Sequence, residues 1–284
     1  MSDIQFPRTQ IEGVSMPRMI MGTNWMLGYS HTSSAADAMI RHRNGNAHAV
    51  AEIAEVFLNA GVDAVMGPLN VNQPMLDGLK MAEDRVGKGF IRIDTPEFDV
   101  SDNPQARQAA AEKIADCKRK GADFCLIHHA SAEQLVNKNK RIIDRLPEYL
   151  SMIRDNGMIP GLSAHMPEMI LYSDENEYDV QTYIQLYNCM GFLMQVEIES
   201  VHKIIWNAKK PVMAIKPMAA GRCSPFVGIT FSYSTLRERD MVVVGCMTPR
   251  EAQEDLEIGM AAIERRPPDL EGRASPAAQA VVQK

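Results

Sequence analysis

The feature that most constrains this chain is an alternation: short apolar, β-branched runs take turns with longer amphipathic stretches along most of its length. Parallel strands joined by crossover helices leave that pattern, because a strand covered on both faces reads as a continuous apolar run. Eight runs read as strands: RMIMGTNW (18–25), VDAVMGP (62–68), GFIRIDTPEF (89–98), ADFCLIHHA (122–130), MIPGLSAHM (158–166), VQTYIQLYN (180–188), PVMAIKP (211–217) and MVVVGCMTP (241–249). Helices are expected over 46–60, 73–87, 103–120, 131–156, 193–209 and 249–264, with a weaker one near 166–173. Glycine ends several helices ahead of a strand, in NAGVD, KRKGAD and RDNGM, which is C-cap chemistry. Thr248, Pro249 and Glu251 form a capping box on the last helix. Eight βα repeats predict the α/β class and a (β/α)8 TIM barrel, ahead of an open doubly wound sheet.

The 284 residues, 45% hydrophobic and 23% charged, suit one barrel domain over 1–266. Two segments fall outside the repeat. Residues 26–45 (MLGYSHTSSAADAMIRHRNG) are a long insertion after the first strand, on the side where barrel loops build active sites, and read as a lid. The Pro- and Ala-rich tail, 267–284, reads as a flexible extension.

Net charge is −6 with both signs interspersed. A nucleic-acid or anionic-membrane partner requires a basic patch or stripe, so a small-molecule substrate is the expected partner, alongside self-association into a homo-oligomer. No apolar run approaches the length of a membrane span, and MSDIQFPRTQ lacks the layout of a secretory signal, so a cytoplasmic location is expected. The five cysteines form no CxxC pair and read as reduced, mostly buried thiols. Most of the 20 methionines read as core filler.

In a barrel, side chains at the C-terminal ends of the strands meet at one mouth. The expected catalytic set is His128, His165, Asp94, Glu97 and Lys216, with Asn24, His31, His129, Gln185, Tyr187 and Asn188 as substrate-binding candidates. Carboxylates and histidines from the adjacent third, fourth and fifth strands suit either general acid–base work or divalent-metal binding, for which Asp94, His129 and His165 are the expected ligands. Lys216, in VMAIKPMAAGR, is placed either to pair with Asp94 or a neighbouring acid or to be a desolvated amine that acts as a base or forms a Schiff base. Neighbouring residues on a strand face opposite ways, so His128 and His129 do different things.

Several strings together resemble the aldo/keto reductase superfamily over about residues 120–262. DFCLIH resembles the strand that ends in that family's active-site histidine, GLSAH its "GxSN" strand, and VQTYIQLYN its "QxxYN" strand. IKPMAAGR resembles "KPLxxGR", and VVVGCMTPREAQEDL resembles the closing strand and helix. The resemblance implies NADPH as cofactor, His128 at the catalytic histidine, and Ser163 and Gln185 on the nicotinamide amide. It also implies Tyr187 stacked on the ring, with Arg222, Thr248 and Arg250 near the phosphates.

The chain departs from the family where proton donation is arranged. GVDAVMGPLNVNQ carries no Asp-then-Tyr, FIRIDTPEF has Asp94 and Glu97 near the position of the family's Lys, and Ala164 replaces its amide-binding Asn. Protonating the alkoxide formed by hydride transfer then has no evident donor. The leading expectation is therefore an isomerase, epimerase or lyase of a small polyhydroxylated or carbonyl, sugar-like substrate, working by His/carboxylate proton transfer and metal assistance. The alternatives are an NADPH-dependent reductase with an atypical site and a non-catalytic ligand-binding barrel.

Overall fold

The computed structural model describes residues 5–270, and most of the expected C-terminal extension, 271–284, lies outside the described residues. Eight parallel strands close into a barrel: β1 (Met19–Gly22), β2 (Ala64–Gly67), β3 (Ile91–Asp94), β4 (Phe124–Ile127), β5 (Ile159–Ala164), β6 (Tyr183–Leu186), β7 (Val212–Ile215) and β8 (Met241–Val244). They are wound in sequence order, with β8 pairing β1 to close the ring. Each falls inside a run read as a strand, so the (β/α)8 expectation holds. The register of β4 on β5, ending at Ile127 opposite Leu162, brings His128 and Ser163 to neighbouring strand ends.

The two-residue period of the strands sorts side chains into two cores. Ile20, Ala64, Met66, Ile93, Phe124, Leu126, Ile184, Met213, Met241 and Val243 point into the barrel. Their neighbours, such as Met21, Val65, Cys125 and Val242, pack outward on the helices. A hairpin before β1, Arg8–Ile11 with Val14–Pro17, supplies Ile11 and Met16 to the inner cluster and stops the N-terminal end of the barrel. Glu12 and Gly13 join its strands with positive φ at both positions, the geometry that matches the strands' twist. Sequence periodicity gave no sign of this hairpin, since each of its strands is four residues long.

The helices are α1 (Asn24–Leu27), α2 (Ser34–Asn44), α3 (Ala47–Asn59), α4 (Gln73–Val86), α5 (Pro104–Arg119), α6 (His129–Ala132), α7 (Leu146–Asp155), α8 (Glu168–Glu175), α9 (Ile198–Asn207), α10 (Pro225–Thr235) and α11 (Pro249–Glu264). Asn46, Asn72, Asn103 and Thr248 cap α3, α4, α5 and α11 through their side chains. Two differences from expectation stand out. The single helix expected over 131–156 is broken: α6 runs into a 3-10 turn, a small hairpin pairs Val136–Asn137 with Ile142–Ile143, and α7 starts only after Arg145. Pro147 in the first turn of α7 fixes that start. The other is α10, whose PFVGITFSYST sequence is rich in β-branched and aromatic residues with weak helix propensity. Tertiary packing of its Ile229, Ser232 and Tyr233 decides the element.

The 26–45 insertion folds as the end of α1 and all of α2. Its small polar residues order it: Ser33 Oγ accepts the Ala36 N–H at the start of α2, and Asp37 accepts from both the Ser30 hydroxyl and its backbone N–H. Gly28, at φ 84°, ends α1 in the left-handed region, where a side chain is strained.

Candidate active site

A cavity of about 1200 Å³ opens at the C-terminal ends of the strands. Met66, Ile184, Ile215 and Val243 form its apolar floor, and the polar side chains gather above them. Tyr29, Ser30 and His31 line it from the insertion, so that segment lies on the mouth side of the barrel.

One polar pole is built on β7 and the insertion. The chain leaves β7 at Lys216 with φ 59°, and His31 sits at φ 57°; both left-handed backbones are sparsely populated for such residues. Together they bring Lys216 Nζ to 2.7 Å from His31 Nε2, and Asn24 Nδ2 lies 3.1 Å from the same nitrogen. With the amine and the amide both donating, His31 Nε2 is an acceptor and its proton sits on Nδ1. Burial lowers the Lys216 pKa to about 8, because desolvation disfavours the ammonium. Burial, and then the Lys216 charge, also lower His31.

The second pole is a stack of imidazoles from the ends of β4 and β5. His128 and His129 have ring centroids 4.2 Å apart, and His129 lies on His165 at 3.8 Å. Burial, then mutual repulsion and Lys216, depress His128 to about 4 and His165 to about 3. These rings are therefore neutral at neutral pH. His128 Nδ1 accepts the Ala130 N–H at 3.3 Å as the cap of α6, which leaves Nε2–H as its free donor. Glu97 Oε2 is 3.9 Å from that Nδ1. The Lys216 charge is felt by His31, His128, His129 and His165 alike, so the two poles face one small space.

Of the residues expected at the mouth, Asn24, His31, Glu97, His128, His129, Ser163, His165, Lys216 and Arg222 line the cavity. The remaining six do not, and strand alternation accounts for three of them. Asp94 follows inward-pointing Ile93, so its carboxyl lies outside the barrel wall, 1% exposed, accepting the Leu69 N–H at 3.1 Å. Burial pushes its pKa up to about 6, although Cys117, Leu69 and Thr95 donate to it. Among the described residues, the group of side chains whose possible ligand atoms lie within 4.8 Å of one another is His129, Glu133 and His165, without Asp94. Gln185 and Tyr187 flank the inward-facing position on the same principle. Gln185 Nε2 donates to the His165 carbonyl from behind the wall, and Tyr187 packs on Phe231 and His202 with its hydroxyl donating to Thr235.

Asn188 instead shapes the following loop, accepting from the Met190 and Phe192 N–H groups. Thr248 Oγ is used as the cap of α11, and Arg250, on the surface, lies 3.6 Å from Glu254. Arg222 lies over the Phe192 ring at 3.8 Å. Sequence reasoning missed Glu133. It follows His129 by four residues in HHASAE, a spacing that puts two side chains on one helical face. Its Oε1 accepts the N–H groups of His165 and Met166, at 2.5 and 2.8 Å.

The fold defines the class: a (β/α)8 barrel with its polar cluster at the C-terminal mouth. No family model matches the sequence, and no curated protein does. Solved structures do. A Pseudomonas aeruginosa protein assigned to the aldo-keto reductases superposes with a TM-score of 0.65 at 12% identity, covering 92% of this chain and 98% of that one. An aldo-keto reductase from Klebsiella pneumoniae, solved in complex with NADPH, gives 0.53 at 13% identity over 100% of this chain and 94% of that one. The octameric ribulose-1,5-bisphosphate carboxylase/oxygenase of Pyrococcus horikoshii gives 0.51 at 12% identity, over 84% of this chain and 60% of that one. At these identities the likeness is one of fold, which hosts redox and carboxylase chemistry alike. Among the described residues, no helix is long and apolar enough to cross a membrane.

Proposed function

We propose that this protein is an enzyme that rearranges or cleaves a small carbonyl compound without net redox change, as an isomerase, epimerase or lyase. The observation that carries the reading is the Lys216 amine, half-buried in a large cavity and held 2.7 Å from His31 Nε2. An amine whose pKa is brought to about 8 is partly neutral at physiological pH and so competent as a base. In the proposed step, neutral Lys216 removes the proton next to the substrate carbonyl. The C–H electron pair becomes the enolate, and the charge on oxygen is met by His128 Nε2–H, a neutral imidazole that donates without first losing a proton. Return of the proton from Lys216 to the former carbonyl carbon, while His128 gives its Nε2 proton to the former carbonyl oxygen and takes up the proton of the adjacent hydroxyl, gives isomerisation; return to the original carbon after the enolate has turned its other face to the amine gives epimerisation. His31, bonded to the amine, is the route by which Lys216 exchanges protons. The apolar floor keeps water from the enolate.

Incubation with a panel of small hydroxy-ketones and sugars in deuterated buffer is the test. Exchange at the carbon beside the carbonyl, read by proton NMR, is expected with the wild type, to rise with pH up to about 8, and to fall by at least about 100-fold in Lys216→Met. Exchange equal in the wild type and Lys216→Met removes the reading.

The second reading, an NADPH-dependent reductase, is favoured by Ser163 and Arg222 at the cavity and by the NADPH in the Klebsiella protein. Against it, Gln185, Tyr187, Thr248 and Arg250 are committed elsewhere. Micromolar NADPH binding in a fluorescence titration, with NADPH consumed on adding an aldehyde, would put the reductase in place of the first reading.

A further inference from the structure

We propose that His129, Glu133 and His165 form a binding site for one divalent first-row transition ion of the zinc type, set in the wall of the cavity. One ligand atom from each residue lies within 4.8 Å of the other two. Ligands around a tetrahedral ion at about 2.1 Å stand about 3.4 Å apart, so closure by roughly an ångström, within the reach of side-chain rotation, seats the ion. The backbone arrangement favours this. His129 and Glu133 are four residues apart on the turn that leaves β4, and His165 leaves β5, which pairs with β4 in parallel.

Three further observations point to a cation. The ring nitrogens of His129 and His165 have no hydrogen-bond partner among the described residues, and the aromatic rings they stack on are each other and, for His129, His128. Half-buried imidazoles left this way have lone pairs available for an ion. Glu133 has no Lys or Arg ion pair among the described residues, so its charge lacks a direct counterion. Finally, the carboxylate is oriented by two backbone donors, the N–H groups of His165 and Met166. An oriented ligand held by outer bonds of this kind is typical of metal centres, and here the bonds tie Glu133 to the strand end that carries His165.

Two imidazoles and one carboxylate make a nitrogen–oxygen donor set, suited to Zn²⁺, Co²⁺, Fe²⁺ or Mn²⁺ rather than to Ca²⁺ or Mg²⁺. Three protein ligands leave a position open. Because His129 and His165 line the cavity, that position is available to a water or to a substrate oxygen. The inference concerns binding and stands whichever reaction the cavity supports.

The test uses the full chain, stripped with a chelator and titrated with zinc chloride by calorimetry and with cobalt chloride by visible absorption. The expected result is one ion per chain at micromolar affinity or tighter, with the visible bands of nitrogen–oxygen-bound Co²⁺. His129→Ala, His165→Ala and Glu133→Gln are each expected to weaken binding by at least about 100-fold. Glu133→Gln keeps an oxygen to accept the two backbone N–H groups, so its loss of binding is read on a folded protein, checked by circular dichroism. Lys216→Met is expected to keep the ion and to bind it as tightly or more tightly, because it removes a positive charge felt by His129 and His165, which separates this site from the proposed proton transfer. Absence of stoichiometric binding by the wild type, or binding that survives Glu133→Gln at full strength, overturns the inference.

Discussion

Lys216→Met is expected to make the protein more stable at pH 7, and the gain is expected to disappear in alkali. Burial lowers the amine from 10.5 to about 8, a displacement of about 2.5 that corresponds to about 3 kcal/mol. The sign follows from linkage. Between the folded and unfolded values the unfolded chain holds the extra proton, so stability rises with pH across that interval. Below about 8 both states are protonated, and the full cost of burying the ammonium is present. Methionine has a similar length and no charge, so it relieves that cost. It also loses the bond to His31 at 2.7 Å, worth about 1–1.5 kcal/mol. The net expectation is a gain of about 2 kcal/mol at pH 7, shrinking as pH rises from about 8 toward 10. Urea unfolding of both proteins, followed by circular dichroism at pH 7.0, 8.5 and 9.5 in common buffer, measures it. A destabilised variant, or a gain that does not change with pH, would show that the amine is ordinarily solvated, and the proposed base would lose its physical ground.

Asp94→Asn is expected to preserve activity, because the carboxyl lies outside the cavity wall, and to stabilise the fold at pH 7 by about 1–3 kcal/mol. Its folded pKa of about 6 exceeds the ordinary 3.8, so the native carboxylate costs stability above about 6 and the gain should fade below pH 4; paired activity and unfolding measurements check both parts. Asp240, fully buried, accepts from the Val212 N–H and from the Arg237 guanidinium. Asp240→Ala is expected to cost about 3–5 kcal/mol by leaving Arg237 without its buried counterion, and a loss under about 1 kcal/mol in urea unfolding would refute the pairing as a structural tie.

How much of the site was legible follows from the kind of signal each residue carries. Lys216, His128 and His165 stand directly at or after a strand end in the sequence, and His31 stands in the long insertion that follows the first strand, so counting strands was enough to bring them to the mouth. Asp94, Gln185 and Tyr187 stand at strand ends too, yet a shift of one position sends a side chain through the wall. Their sequence neighbours give no clue to phase, because in a parallel barrel both faces of a strand are buried and apolar. Glu133 was hidden for a different reason: 131–156 reads as one long helix, in which the turn after His129 has no special standing. The small hairpin at 136–143 that breaks it is seen only in three dimensions.

The sequence by itself determined the eight strands, their order and hence the barrel, since apolar periodicity and glycine punctuation are local and additive. It also determined which end of the barrel holds the polar residues. Tertiary structure decided the phase of each strand, the plug made by the N-terminal hairpin, and the partners of Lys216. The amine meets His31 across 185 residues of chain, through two left-handed backbone positions that no local pattern announces. The desolvation that lowers the amine's pKa comes from walls contributed by several strands at once. Such a property belongs to the closed barrel, because a short stretch of chain leaves every one of these groups in water.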